Sequence, residues 1–245
     1  MTQLNRLLLI AVILFAASQS VSAQDTVWVQ PDSALLEGSF IQPYTNQWKV
    51  SVIDSSGNKQ HMRYWTDYAQ ILELDGVSYL HRVQDLYSPE YGLQQTWINT
   101  VQHADLTPLR YSLESTNGNL LHLNFDGNKV TQRAFVEGEF KSEEFETEHH
   151  LYDWNLYGIL LIGLPFQKNI SYKIPYWSQQ TKTEEILTAT LEGQERVQTL
   201  SGNNHLTQKI TTDKGLTFWL TKQKPYVIQL TLALPNGSTM IWEMM

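Results

Sequence analysis

The sequence predicts a mainly β, single-domain fold in which one short helix covers an antiparallel meander. Three observations predict it. Turn dipeptides recur between short alternating segments, one stretch breaks that rhythm with helical spacing, and no fixed-period repeat or low-complexity linker divides the chain. Asp-Gly or Asn-Gly between alternating apolar residues is a strong hairpin signal, because both residues accept the positive φ of a tight turn. Hairpins joined end to end give a sheet in which neighbours in sequence are neighbours in space.

The first residues read as a targeting segment. Arg6 precedes the apolar run Leu7 to Ala17, and Val21-Ser22-Ala23 places small residues before Gln24. That is the pattern of a cleaved secretory signal. The expectation is a signal peptide over 1–23 and a mature domain over 24–245, located in the periplasm or secreted. The chain of 245 residues has no cysteine, so disulfides, thiol nucleophiles and a cysteine-linked lipid are excluded. A cysteine-free exported chain suits a bacterial envelope. The net charge is −8, and loss of residues 1–23 removes Arg6 and no acid. Nucleic acid and anionic membrane surfaces need clustered Lys and Arg, so neither is expected as a partner. A chain of this size buries about 70% of its unfolded surface in one core, which removes the need for disulfides.

From Thr26 to Asn124 the pattern is strand, turn, strand. Val50–Ile53 turns through Ser55-Ser56-Gly57-Asn58 and returns from Gln60 to Tyr64, while Ile71–Leu74 turns at Asp75-Gly76 into Val77–Leu80. Asn117-Gly118 joins Leu109–Glu114 to Leu120–Phe125, and Asp126-Gly127 leads into Val130–Val136. The acidic stretch that follows carries Glu137, Glu139, Glu143, Glu144, Glu146 and Glu148 before His149-His150. So dense a like-charge run predicts a solvated strand or loop.

Leu151 to Phe166 is the exception to the strand pattern. Leu151, Trp154, Leu156, Ile159, Leu160, Ile162 and Leu164 sit mostly three or four apart, which predicts an amphipathic helix of about three turns with its stripe against the sheet. Asp153 stands at the N-cap position, and Gly163 followed by Pro165 is a stop signal. Roughly a dozen residues cannot cross a bilayer, which needs ~20. No transmembrane span is expected in the mature chain. The helix is read as a core element, with a movable lid loosened at Gly158 and Gly163 as the alternative.

Beyond it the strand pattern returns: Ile170–Pro175, Ile186–Leu191, Val197–Leu200, Leu206–Thr211, Leu216–Leu220, Tyr226–Leu234 and Thr239–Met244. Ile228, Leu230, Leu232 and Leu234 alternate with Gln229, Thr231 and Ala233, so one sheet face is expected to be covered and the other wet.

The order of these elements resembles a family of bacterial periplasmic proteins of unknown function related to the outer-membrane lipoprotein carriers. The residues that carry the resemblance are the apolar helix Tyr152 to Leu164, the aromatic strand Tyr172 to Trp177, and Glu195-Arg196-Val197-Gln198-Thr199-Leu200-Ser201-Gly202. Lys209-Ile210-Thr211-Thr212 and the strands starting at Gly215 and Pro225 complete it. The resemblance implies a strongly curved antiparallel sheet, an incomplete barrel wrapped around the helix and offering an apolar concavity. It supplies no catalytic residues.

The residues themselves point to no reaction. There is no G-x-S-x-G elbow, no H-E-x-x-H pair and no glycine-rich phosphate loop. His149 and His150, near Glu146, Glu148 and Asp153, are the metal candidates, but adjacent strand residues face opposite ways and do not readily share an ion. Glu37, Asp67, Asp85 and Glu114 are the acids a glycoside-cleaving pair would draw on. No cofactor is expected. The aromatic excess carries the remaining signal, since tryptophan combines a large apolar face with a polar edge. Trp65, Trp97, Trp154 and Trp177, with Ile159 and Leu160 of the helix, are the expected lining of the concavity. The expected function is a non-enzymatic carrier or binder of a lipid, lipidated chain or other hydrophobic molecule. An envelope structural or interaction protein with a protein partner is the alternative, followed by a polysaccharide hydrolase.

Overall fold

Turn chemistry sets the strand boundaries, and a computed structural model describes residues 25–245 except Asp32 and Glu137. The expected signal segment lies outside the described residues. The strands are β1 (Asp25–Trp28), β2 (Tyr44–Ile53), β3 (Lys59–Leu74), β4 (Val77–Ser88), β5 (Gly92–Gln102), β6 (Pro108–Ser115), β7 (Leu120–Asp126), β8 (Lys129–Val136) and β9 (Glu139–Glu146). A two-residue strand, β10 (Tyr152–Asp153), leads into a 3₁₀ turn (Trp154–Leu156) and the helix α1 (Tyr157–Gly163). Then follow β11 (Ile170–Ser178), β12 (Thr183–Gln198), β13 (Asn204–Thr212), β14 (Leu216–Leu220), β15 (Val227–Ala233) and β16 (Thr239–Met244).

One sheet contains every strand among the described residues, in the order β1-β11-β12-β13-β14-β15-β16-β2-β3-β4-β5-β6-β7-β8-β9, with β10 beside β11 off this path. The expected hairpins are present. At Asp75-Gly76 both residues are left-handed (φ 51° and 78°), whereas at Asn117-Gly118 only the glycine is (φ 88°). The expected strand Ile186–Leu191 and the start of Val197–Leu200 belong to one continuous strand, β12, which ends at Gln198, because a bulge between Leu191 and Gly193 keeps it in register with β13. At 16 residues each, β3 and β12 extend about 50 Å, and bulges in β3, β5, β6 and β15, at Met62, Gln94, Leu109 and Ile228, add local bends. The result is a large curved sheet not closed into a barrel.

Two features are not meander. β16 pairs antiparallel with β2, joining the last strand to the first long one. β1 and β10 both run parallel to β11, at Ile170–Lys173 and at Tyr176–Trp177, on the edge that β12 leaves free. The other end of the sheet, β9, approaches this corner through side chains. Lys182 pairs with Glu143 at 2.5 Å, His149 Nδ1 with Glu184 at 2.5 Å, and Phe145 lies 4.9 Å from the Trp177 ring.

The sheet wraps the helix, and that corrects the expected geometry. Tyr157 and Ile159 to Gly163 are all buried and Gly158 is half-buried, so α1 itself has no wet face and behaves as a helix buried nearly all round. Its α part is seven residues after a single 3₁₀ turn. Asp153 does cap it, accepting from the Asn155 N–H at 3.0 Å. Gly163 serves close approach: an added Cβ would lie 2.8 Å from the Glu37 carbonyl and 3.1 Å from Leu36. Lys222 Nζ reaches the Ile162 carbonyl at this same C-terminal end of the helix. A second, smaller core of Tyr111, Leu123, Val130, Leu151 and Trp177 fills the space behind β9 and β10.

Candidate functional site

A cavity of about 240 Å³ lies between the start of α1 and the inner face of the sheet. Its wall is built by strand register. Trp48 of β2 stands directly opposite Trp65 of β3. Phe218, Leu230 and Trp242 form one row across β14, β15 and β16. Trp65 and Trp242 meet edge to face at 6.2 Å. Trp154, 40% exposed, stands among the lining residues and packs on Tyr157 and Tyr176. The register shift between Trp219 and Leu220 brings Val227 into the lining, while Ile228 packs with Val197 and Trp219 elsewhere.

One side of the cavity is polar. Arg82, Gln84 and Asn155 line it, and Arg82 is the one charged residue among the described lining residues. The arginine is buried against Asp67, with Nη2 at 2.6 Å and Nε at 2.9 Å from its oxygens, and Tyr44 donates to the same carboxylate at 3.2 Å. Burial opposes the Arg82 charge, but Asp67 and Tyr44 more than offset it and hold the group protonated. Nη1 donates to the Asn155 carbonyl at 2.6 Å. Asn155 Nδ2 donates to Asn99 Oδ1 at 2.9 Å, and Asn99 in turn donates to Asp153. The Gln84 amide satisfies its neighbours with its oxygen toward Arg82 Nη2 (2.8 Å) and the Trp65 indole (3.1 Å). Burial pushes the Asp153 carboxyl up to about 7, against the lowering effect of the Asn155 N–H, Asn99 and Arg82. The network thus ties the helix start to β3, β4 and β5 while leaving neither buried carboxylate on the cavity surface.

A family model described as a protein of unknown function, DUF3108, matches residues 82–241. The chain belongs to the DUF3108 family. No curated protein matches it. A crystal structure of a β-barrel-like protein of the domain of unknown function DUF1849 from Brucella abortus is similar in fold. The TM-score is 0.51 at 10% identity, with 84% of this chain and 97% of that chain covered. In this DUF3108 protein the matched span opens at Arg82 and contains the helix, β14 and β15, whereas Trp48 and Trp65 precede it and Trp242 lies just beyond its end.

The expected site residues divide among three places. Trp65 and Trp154 line the cavity. Trp97 stacks on Trp65 at 4.7 Å from the neighbouring wall. Ile159 and Leu160 are fully buried in the main core, and Trp177 belongs to the smaller core behind β9. Trp48, Arg82 and Trp242 are lining residues that the sequence did not single out.

The histidines separate. His149 stacks on Trp28 at 5.0 Å and pairs with Glu184, whose second oxygen accepts the backbone N–H groups of Glu148 and His149. His150 lies beside the Gly127 turn. Glu148, His149 and Glu184 bring one ligand atom each within 4.8 Å of one another, but the imidazole and both Glu184 oxygens are already engaged. Of the acids a hydrolase would draw on, Asp67 is in the buried network, Asp85 accepts from Thr96 at 2.6 Å, and Glu37 and Glu114 are exposed.

Proposed function

We propose that this protein is a non-enzymatic component of the bacterial envelope that holds the apolar part of an amphipathic molecule, a lipid or lipidated chain, in the cavity beside α1. The observation that carries the proposal is the aromatic and aliphatic wall of a 240 Å³ cavity between α1 and the inner face of the sheet. Drug-sized sites run from about 300 to 1,000 Å³, and an apolar cavity of about 150 Å³ takes benzene. The space therefore suits one chain segment, with the rest of the ligand outside near Trp154. Among the described residues, none that lines the cavity is an acid, a serine or a histidine, which favours holding over chemistry. Export to the periplasm, and kinship with the lipoprotein carriers, belong to this same proposal. Among the described residues no helix is long and apolar enough to cross a membrane.

The test is native mass spectrometry of residues 24–245 purified from a bacterial periplasm, before and after organic extraction, beside a Leu232→Phe variant that fills the cavity. A stoichiometric apolar species lost in the variant is expected. Equal ligand in both would place the binding elsewhere and overturn the proposal.

An interaction protein is the second reading, and one observation favours it. Tyr64, Tyr68 and Tyr87 are exposed on β3 and β4, with Tyr64 directly opposite Tyr87, and Tyr91 is exposed in the next turn. Loss of partner capture on replacing Tyr64 and Tyr87 by serine would support it. Neutralising Glu143, Glu144 and Glu146 tests the acidic strand separately.

A further inference from the structure

We propose that the ligand is an anionic amphiphile whose oxyanion head group, a phosphate or a carboxylate, pairs with Arg63 in a polar recess beside the cavity. The inference rests on the proposed use of the cavity and adds the chemistry of the part that stays outside it.

The recess has a volume of about 590 Å³ and lies where the start of β3 meets the β4–β5 and β6–β7 turns, with Gln60, Arg63, Glu90, Tyr91, Gln95 and Ser115 among its lining. Strand register sets it beside the cavity. Leu230 of β15, Trp242 of β16, Val50 of β2 and Arg63 of β3 form one row, and Leu232, Met240, Val52 and Gln60 form the next. Leu230, Leu232 and Trp242 line the cavity, while Arg63 and Gln60 line the recess. A third row, Trp65, Leu86, Gln95 and Ser115, likewise starts at the cavity and ends in the recess. From Trp242 to Arg63 is two strand spacings, about 10 Å.

Charge decides what the recess takes. Arg82, at the cavity, is occupied, with Nε and Nη2 on Asp67 and Nη1 on the Asn155 carbonyl. Arg63 is half-buried and makes no hydrogen bond or ion pair with any described residue. Glu90 lines the same recess, but it is exposed and forms no ion pair with Arg63. The side-chain amides of Gln60 and Gln95 are also without partners among the described residues. A guanidinium presents five donors in a planar fork that matches carboxylate and phosphate oxygens, and the two amides bring further donors to the same recess. A neutral head group would leave the charge unused, and an ammonium head group would be repelled by it. The apolar wall holds the chain, and Arg63 selects the sign of the head.

The experiment is titration calorimetry of residues 24–245 with octyl phosphate, octanoate, 1-octanol and octyltrimethylammonium at neutral pH. Octyl phosphate or octanoate is expected to bind on the order of fivefold more tightly than 1-octanol, the upper value for a charge pair in contact with water, and octyltrimethylammonium more weakly than 1-octanol. The tighter of the two anions identifies phosphate or carboxylate as the source. In 1 M salt, where the screening length is about 3 Å, the preference is expected to shrink. Arg63→Gln removes the charge and keeps a polar side chain. In that variant the preference for anions over 1-octanol is expected to vanish while 1-octanol binding persists. Leu232→Phe, which fills the cavity, is expected to weaken all four compounds together. An anion preference that survives Arg63→Gln overturns the inference, as does anion binding that Leu232→Phe leaves unchanged. Equal binding of all four to the unmodified protein would refute head-group recognition and leave the cavity proposal standing. Failure of all four to bind would overturn both. Circular dichroism establishes that the variants are folded, and the ranking of the four compounds on the unmodified protein stands without them.

Discussion

The junction between β16 and β2 and the corner where β9 meets β11 and β12 both join distant parts of the chain, but by different forces. At the first, Thr239–Met244 pair residue for residue with Ile53–Trp48 in a main-chain ladder. At the second, the contacts are the Lys182–Glu143 and His149–Glu184 pairs, the ring contact of Phe145 with Trp177, and the Glu184 caps. Each ladder bond depends on its neighbours, whereas a side-chain contact can be lost singly. Trp48 and Trp242 flank the ladder junction and line the cavity, so the proposed site belongs to the firmly held wall. Pre-organisation of that wall lowers the cost of binding, and local opening is expected at the corner.

Breaking the ladder is expected to have the largest effect. Ile241 pairs with Thr231 on one side and Ser51 on the other. Ile241→Pro removes a ladder donor and leaves a carbonyl unpaired, at a cost on the order of 3 kcal/mol or more. Urea unfolding followed by tryptophan fluorescence should show the whole domain weakened, because domain stabilities are only about 5–15 kcal/mol. An unchanged midpoint would mean that the junction contributes little and that the contrast is misplaced.

Asp153 links the helix start to the wall across from it, and its response to pH sharpens the comparison. Its carboxyl is pushed up to about 7 by burial, against about 3.9 in an unfolded chain. Between those values the folded protein keeps a proton that the unfolded chain releases. This contribution is therefore full below about pH 4 and is lost as the pH rises through about 7. Asp153→Asn retains an N-cap acceptor and removes the titration. The variant should gain stability relative to the parent between pH 5 and pH 8, measured as the change in urea midpoint. A parallel pH dependence in both proteins would contradict the assignment.

Much of the fold was legible because its signals are local. Asp75-Gly76 fixes a hairpin, and once that turn is set Arg82 must stand opposite Ala69 and Gln84 opposite Asp67, as they do. The buried polar network was thus readable in principle from register: Asp67 and Arg82 occupy inward positions among apolar residues, one diagonal apart. Other features carry no local signal. Pairing of β16 with β2 spans most of the chain, and parallel addition of β1 and β10 to β11 depends on an edge that exists only after folding. The helix was misjudged in extent because alternation through Leu151 to Asp153 fits a short strand as well as a first turn. Among the tryptophans, Trp65 and Trp154 line the cavity and Trp97 and Trp177 do not, and composition alone cannot sort them. Glu184 lay too far from His149 in sequence to be paired with it.

At the corner the effects should be local. Glu184 holds His149 through one oxygen and two backbone N–H groups through the other. Glu184→Gln keeps an amide acceptor but loses the charge, at a cost of about 1–2 kcal/mol. Hydrogen exchange should report faster exchange of the amides of Glu148 and His149, with the amides of β2 unchanged. Equal acceleration in β2 would mean that corner and ladder open as one unit.

The smallest effect is expected at Lys182 and Glu143, whose side chains are 45% and 51% exposed. An exposed pair gains little because water screens it and two long side chains must be held still, so coupling is typically 0.2–1 kcal/mol. A double-mutant cycle with Lys182→Ala and Glu143→Ala should return a value in that range, falling further in 1 M salt, where the screening length is about 3 Å. A larger coupling that resisted salt would make this pair a latch, and the corner would then be held by charge. A value within the range leaves the packing of Phe145 on Trp177 and the Glu184 caps as the main closure. In that case the sheet is joined at one side by backbone and at the other by a small core.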